Sequence, residues 1–147
     1  MQSILSALLI NKTRMTFETL LSPIKVGNVI LKNRVIMGSM HTGLEEHPEG
    51  SPRLAAFYAE RAKGGVGLII TGGFAPNTEG RVFENGADLV SDKQLAFHKP
   101  IVSAVHEKGG KIALQILHTG RYGLMENCVA PSPITAPINF YRPKELS

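Results

Sequence analysis

Gly110-Lys111-Ile112-Ala113-Leu114-Gln115-Ile116-Leu117-His118-Thr119-Gly120-Arg121 is the stretch whose reading decides the fold of this chain. Ile112, Leu114, Ile116 and Leu117 make an apolar run, bounded by Gly109 and Gly110 before it and Gly120 after it, and predict a strand buried on both faces. The run ends in a cluster of polar groups, so chemistry is expected there. Gln115 interrupts it. A primary amide buried without hydrogen bonds costs about 1–3 kcal/mol, so either the fold or a ligand must supply a partner. One acceptor and two donors match a planar imide edge, which presents carbonyl oxygens beside an N–H.

Two more stretches upstream have the same character. Arg34 to Met40, with Val35, Ile36 and Met37, reads as a buried strand that ends at Gly38-Ser39-Met40-His41-Thr42-Gly43. Small and polar residues there let a ligand approach the backbone closely. Gly67 to Thr71 is short, apolar and closed by Gly72-Gly73, a second strand end that permits close approach, although the glycines alone would also suit a turn. Between these strands Ser51 predicts an N-cap with Pro52 at the first helical position, and Leu54, Phe57, Tyr58 and Arg61 follow at helical spacing to Gly64-Gly65. After a polar connection over 77–89, Ser91 and Gln94 have the spacing of a capping box, and the helix they open should reach Lys108. Pro100 lies inside it and predicts a break or kink near His98. His106, near its end, suits the helix dipole. Leu20 to Asn33, punctuated by Pro23, Gly27 and Asn28, reads as a small hairpin capping the body.

Strand, helix, strand, helix, strand is the order of βα units in a parallel sheet. All three strands end in unusual residues, and ligands bind at that end both in a (β/α)8 barrel and in a doubly wound sheet. The doubly wound sheet predicts a glycine-rich phosphate loop after the first strand. Gly38 to Gly50 is instead a longer, acidic loop with no GxGxxG, so the expected class is α/β, about three βα units from the N-terminal portion of a (β/α)8 TIM barrel.

Composition narrows the function classes. The 147 residues are 43% hydrophobic and 19% charged, as in a globular protein. The net charge of +4 is spread over scattered Lys and Arg with no basic run, so no nucleic-acid partner is expected. Cys128 alone can form no internal disulfide and cannot supply the four thiolates of an iron–sulfur cluster, which fits a reducing cytoplasm. The apolar run Ile4 to Ile10 is far shorter than the roughly 20 residues of a membrane-crossing helix. Residues 1–14 are expected to be a disordered or non-native extension ahead of a working start at Met15, and 15–147 a partial barrel domain ending after the third strand.

Over Leu20 to Ser147 the chain resembles the Old Yellow Enzyme family of flavin-dependent ene reductases, and within it the NADPH-dependent 2,4-dienoyl-CoA reductases. The resemblance rests on LKNRVIMGSMHTGLEE from Leu31, RLAAFYAERAKGG from Arg53, GGKIALQILHTGRY from Gly109 and APSPI from Ala130. It implies an FMN across the C-terminal mouth of the barrel. Carried over position by position, Ser39, Met40 and His41 would contact the flavin largely through backbone, Gly73 would approach it from the second strand, and Gln115 would bond its pyrimidine edge, an imide of the kind inferred above. Many relatives have Cys or Thr at the place of Met40, and Met cannot donate a hydrogen bond. His118 and Arg121 match the signature of the third strand and would support the strand end from behind the flavin.

The chemistry implied is hydride transfer from NADPH by way of FMN to the β- or δ-carbon of an enoyl or dienoyl thioester. The catalytic Tyr and His, the phosphate loops, and the FAD and 4Fe-4S parts of dienoyl-CoA reductases have no counterpart here, so no catalytic residue and no metal ligand is assigned. Two functions follow. One is a part of a flavin enzyme, acting on thioesters or on other α,β-unsaturated carbonyls. The other is a non-catalytic fragment that needs the remainder of the polypeptide, or self-association, to close its sheet.

Overall fold

The structure is a computed structural model and describes residues 17–146; the expectations for 1–14 and Met15 lie outside the described residues. A single helical turn, α1 (Glu18–Leu21), leads into the antiparallel pair β1 (Ile24–Val26) and β2 (Val29–Leu31), the hairpin expected from the sequence. Its two-residue loop places Gly27 at φ +57° and Asn28 outside the positive-φ region, as a type II′ turn requires. Leu31, only 1% exposed, anchors the hairpin. Asn33 then ties its exit to the body, donating to Gly65 O at 2.7 Å and accepting from Val35 N at 3.1 Å.

The body is a three-stranded parallel sheet in the order β3 (Ile36–Met37), β4 (Leu68–Phe74), β5 (Ile112–Ile116). Two crossover helices connect them, α2 (Gly50–Lys63) and α3 (Asp92–Glu107). Leu54, Tyr58 and Ala62 recur at i, i+4, i+8 on α2 and pack with Ala55 against Ile101 and Val105 of α3 and Ile69 of β4. Beyond β5 the chain adds a short parallel pair, β6 (Val129–Ala130) and β7 (Lys144–Glu145), which pattern reading missed because each strand has two residues. Cys128, fully buried, lies at its start. No described helix is long and apolar enough to cross a membrane.

Five local expectations need correction. Gly72 and Gly73 do not close the second strand, which runs on to Phe74 with both glycines inside it. Ser51 is not the N-cap of α2. The helix starts at Gly50, and the Ser51 hydroxyl donates to Phe97 O of α3 at 2.6 Å, joining the two helices. Ser91 is the N-cap of α3 but makes no side-chain bond to the helix backbone; its hydroxyl donates to the Gln94 side chain, whose amide in turn donates to Asp88 Oδ1 at 2.8 Å. Pro100 does not break α3, which is continuous from Asp92 to Glu107. An interior proline costs about 3 kcal/mol, and the full burial of Ile101 and Val105 just after it, against α2, offsets that cost. Finally, β5 is not buried on both faces: Leu114 is 36% and Ile116 71% exposed. Among the described residues β5 pairs with β4 alone, so its outer edge and the far end of its apolar run lie open.

Candidate functional site

The site begins with an irregularity in the sheet. Ile70 lies opposite Ala113 and Gly73 opposite Gln115, so β4 carries one residue more than β5 between these pairs, a β-bulge. The backbone groups it displaces find side-chain partners. Gln115 N donates to Thr71 Oγ1 at 3.2 Å, and Gly72 N donates to Tyr58 Oη at 3.2 Å. Tyr58 is 1% exposed. Burial raises its phenol pKa, the bond from Gly72 opposes the rise, and nearby Glu45 adds to it, so Tyr58 stays a neutral acceptor. The bulge brings Gly73 against β5 so closely that a Cβ there would lie 2.7 Å from Leu117 Cβ and 3.1 Å from Gln115 Oε1. Gly73 is therefore required for close approach.

In front of this bulge lies a cavity of about 320 Å³, lined by Ser39 and His41 just past β3, Gly73 of β4, Val82 and Phe83 from the loop after β4, Gln115 of β5 and Leu117 just after it. Its volume is within the range of small-molecule sites, about 300–1,000 Å³. The sequence singled out four of these residues from three separate strand ends, and the fold brings them together. Gln115 is half-buried rather than buried. The Ser39 hydroxyl donates to its Oε1 at 2.7 Å, which orients the amide, while its NH2 has no hydrogen-bond partner among the described residues. The fold thus satisfies one side of the amide and leaves both donors available, as an imide ligand with carbonyl acceptors requires.

The loop after β3 is folded onto itself by acidic side chains. Glu45, fully buried, accepts from Thr42 N at 3.0 Å and Thr42 Oγ1 at 3.0 Å. His41 Nε2 lies 3.2 Å from Glu46 Oε2, and Glu46 Oε1 accepts from Ala87 N at 3.1 Å. Across the cavity the loop after β4 is clamped by Arg81, which bonds the buried Asp88 through Nε at 2.6 Å and through Nη2, and reaches Glu84 O at 3.1 Å. Thr119 Oγ1 donates to Arg81 O at 2.7 Å. A second cavity of about 420 Å³ lies behind these loops, lined by Glu46, Arg81, Asp88, Lys93 and His98 among others. Burial lowers the His98 pKa, which favours the neutral imidazole packed at 4.5 Å against the Phe74 ring.

The other residues named from sequence lie nearby but do not line the 320 Å³ cavity. Met40 is half-exposed, and its carbonyl oxygen would be 3.1 Å from a Cβ on Gly72, so its backbone meets the bulge. His118 Nδ1 accepts from Gly120 N at 3.1 Å, and its ring lies against Gly80, where a Cβ would be 2.9 Å from Cδ2. Arg121 stacks its guanidinium 5.4 Å from the Tyr122 ring centre, and its carbonyl accepts from Asn139 Nδ2 at 3.0 Å. These arrangements shape the turn after β5. Sequence reading missed Val82, Phe83 and Leu117 as lining residues and Thr71 as the bulge's hydroxyl. Only the polar, Gly-containing character of 77–89 pointed toward a loop over the strand ends.

A three-stranded parallel sheet whose consecutive strand ends share one cavity, with a free amide at its wall, has its polar groups at the end where barrels bind their ligands. The family model for the NADH:flavin oxidoreductase / NADH oxidase family matches residues 19–146, and the chain belongs to that family. It is 37% identical over 138 residues to the NADH oxidase of Thermoanaerobacter brockii, covering 89% of this chain and 21% of that protein. With the NADPH dehydrogenase of Bacillus subtilis it shares 34% identity over 131 residues, covering 87% of this chain and 39% of that protein. Among solved structures, the old yellow enzyme homologue from Zymomonas mobilis superposes with a TM-score of 0.76 at 30% identity, covering 88% of this chain and 40% of that one. A 2-naphthoyl-CoA reductase in complex with 2-naphthoyl-CoA superposes with a TM-score of 0.76 at 25% identity, covering 90% of this chain and 23% of that one. The chain thus spans about a fifth to two-fifths of the length of these curated relatives. Its fold is the N-terminal portion of their barrel.

Proposed function

We propose that this chain supplies the first three strand ends of the FMN site in an NAD(P)H-dependent ene reductase. The observation that carries the reading is the Gln115 amide, held by Ser39 with both donors free, beside Gly73 at a bulge where no side chain fits. These residues fit the flavin. Gln115 would hold the pyrimidine edge, Gly73 would admit the ring system to the backbone, and Ser39, Met40 and His41 would pass beneath it as main chain. His118 and Arg121 would fix the turn that ends β5. When bound, FMN supplies hydride transfer between a reduced nicotinamide and an activated C=C bond. The chain's own part is to orient the ring system and, through Val82, Phe83 and Leu117, to keep water off one side.

The substrate class we favour is an enoyl or dienoyl thioester. The stretch LKNRVIMGSMHTGLEE and the likeness to a reductase bound to an aryl-CoA thioester support it. Other α,β-unsaturated carbonyls are the second reading, which the likeness to an old yellow enzyme homologue supports. NADPH is the proposed reductant, any FAD and 4Fe-4S groups belong outside these residues, and the open edge of β5 needs the rest of a barrel or a second copy. The test reduces the complete FMN-loaded protein anaerobically with NADPH and reoxidises it with a 2,4-dienoyl-CoA or with cyclohexenone. Rapid reoxidation by the thioester is expected. Rapid reoxidation by cyclohexenone alone would move the assignment to the second reading, and reoxidation by neither would reject an ene reductase.

A further inference from the structure

The walls of the 320 Å³ cavity come from two loops that are distant in sequence. Ser39 and His41 belong to the loop after β3, Val82 and Phe83 to the loop after β4. Each loop has its own internal clamp, Glu45 on Thr42 in the first and Arg81 on Asp88 in the second. What joins them is Glu46. One carboxylate oxygen accepts from Ala87 N at 3.1 Å, and the other lies 3.2 Å from His41 Nε2. The Glu46 side chain is 17% exposed, so water competes weakly for both contacts. His41, Glu45 and Glu46 place one ligand atom each within 4.8 Å of one another, but both carboxylates are already engaged by backbone N–H groups, of Thr42 and Ala87.

We propose that Glu46 is a positioning residue for the flavin cavity, locking His41 and the end of β3 to the loop that carries Val82 and Phe83. The proposal rests on the flavin reading above. Its effect is on how firmly the two walls close, and therefore on how long the flavin stays and how its ring is polarised.

The test compares Glu46→Ala and Glu46→Gln in the complete flavoprotein, following FMN release by fluorescence and the visible spectrum of bound flavin. Glu46→Ala loses both contacts and is expected to release FMN on the order of tenfold faster with an altered visible band, whereas Glu46→Gln keeps an oxygen for Ala87 N and should recover most of the loss. His41→Leu should have a smaller effect that is less than additive with Glu46→Ala. A residue that served folding alone would lower the melting temperature and leave the bound flavin's spectrum unchanged. Wild-type release and spectrum in Glu46→Ala would overturn the proposal; if Gln115→Leu were also indistinguishable from wild type, the flavin reading itself would fall. Should Glu46→Ala fail to fold, His41→Leu decides alone, because it removes one end of the lock and leaves Ala87 bonded. An unchanged release rate and spectrum there would overturn the proposal equally.

Discussion

Gln115→Leu is expected to weaken FMN binding to the complete protein by about 1–3 kcal/mol, the cost of leaving a buried hydrogen-bonding group without its partner. That corresponds to a rise in Kd of roughly 5- to 150-fold. Leucine approximates the volume of glutamine, so Leu117, Gly73 and the bulge keep their packing and the loss reports the amide itself. The Ser39 hydroxyl, which donates to Gln115 Oε1, is exposed and can turn to water, so little of the loss comes from that side. Equilibrium dialysis against FMN, with the visible spectrum of the retained flavin, measures the effect. Equal FMN content and an unchanged spectrum in the variant would show that Ser39 is the amide's whole purpose.

The larger effect is expected when the 147-residue chain is expressed alone. It should neither retain FMN stoichiometrically through gel filtration nor oxidise NADPH with a dienoyl-CoA. β3 and β5 are both edge strands among the described residues, with Ile36 50%, Leu114 36% and Ile116 71% exposed, and unpaired parallel edges of this kind template association. Phosphate seats in barrels are built largely from loops after the seventh and eighth strands, so three strand ends offer the flavin ring a wall without an anchor. Aggregation is the expected fate. A soluble yellow protein with turnover would show that copies of the chain rebuild a closed barrel by self-association.

The pattern of apolar runs flanked by glycines was enough to locate the three strands, their order and the end at which their terminal residues share a cavity. That logic succeeded because each strand is short, β-branched or aliphatic, and followed by residues too small or too polar for a core. Gln115 was legible for a simple reason: an amide in such a run demands a partner. Local details failed where tertiary contacts outweighed propensity. Ser51 left its capping role for Phe97 O, and Pro100 stayed helical because Ile101 and Val105 pack behind it. The bulge was not legible, since two glycines at a strand end look the same whether they turn the chain or widen one strand against its neighbour. Glu46 was hidden for a different reason. Its partners, His41 and the Ala87 N–H, lie on both sides of it in sequence, and only the assembled loops bring them to one carboxylate.

The most direct test is a crystal structure of the complete protein with FMN bound. The pyrimidine edge is predicted to lie within about 2.7–3.2 Å of the Gln115 amide, with the ring system over Gly73 and beside Ser39. A flavin seated elsewhere, or a Gln115 amide bonded only to Ser39 and water while FMN is bound, would contradict it.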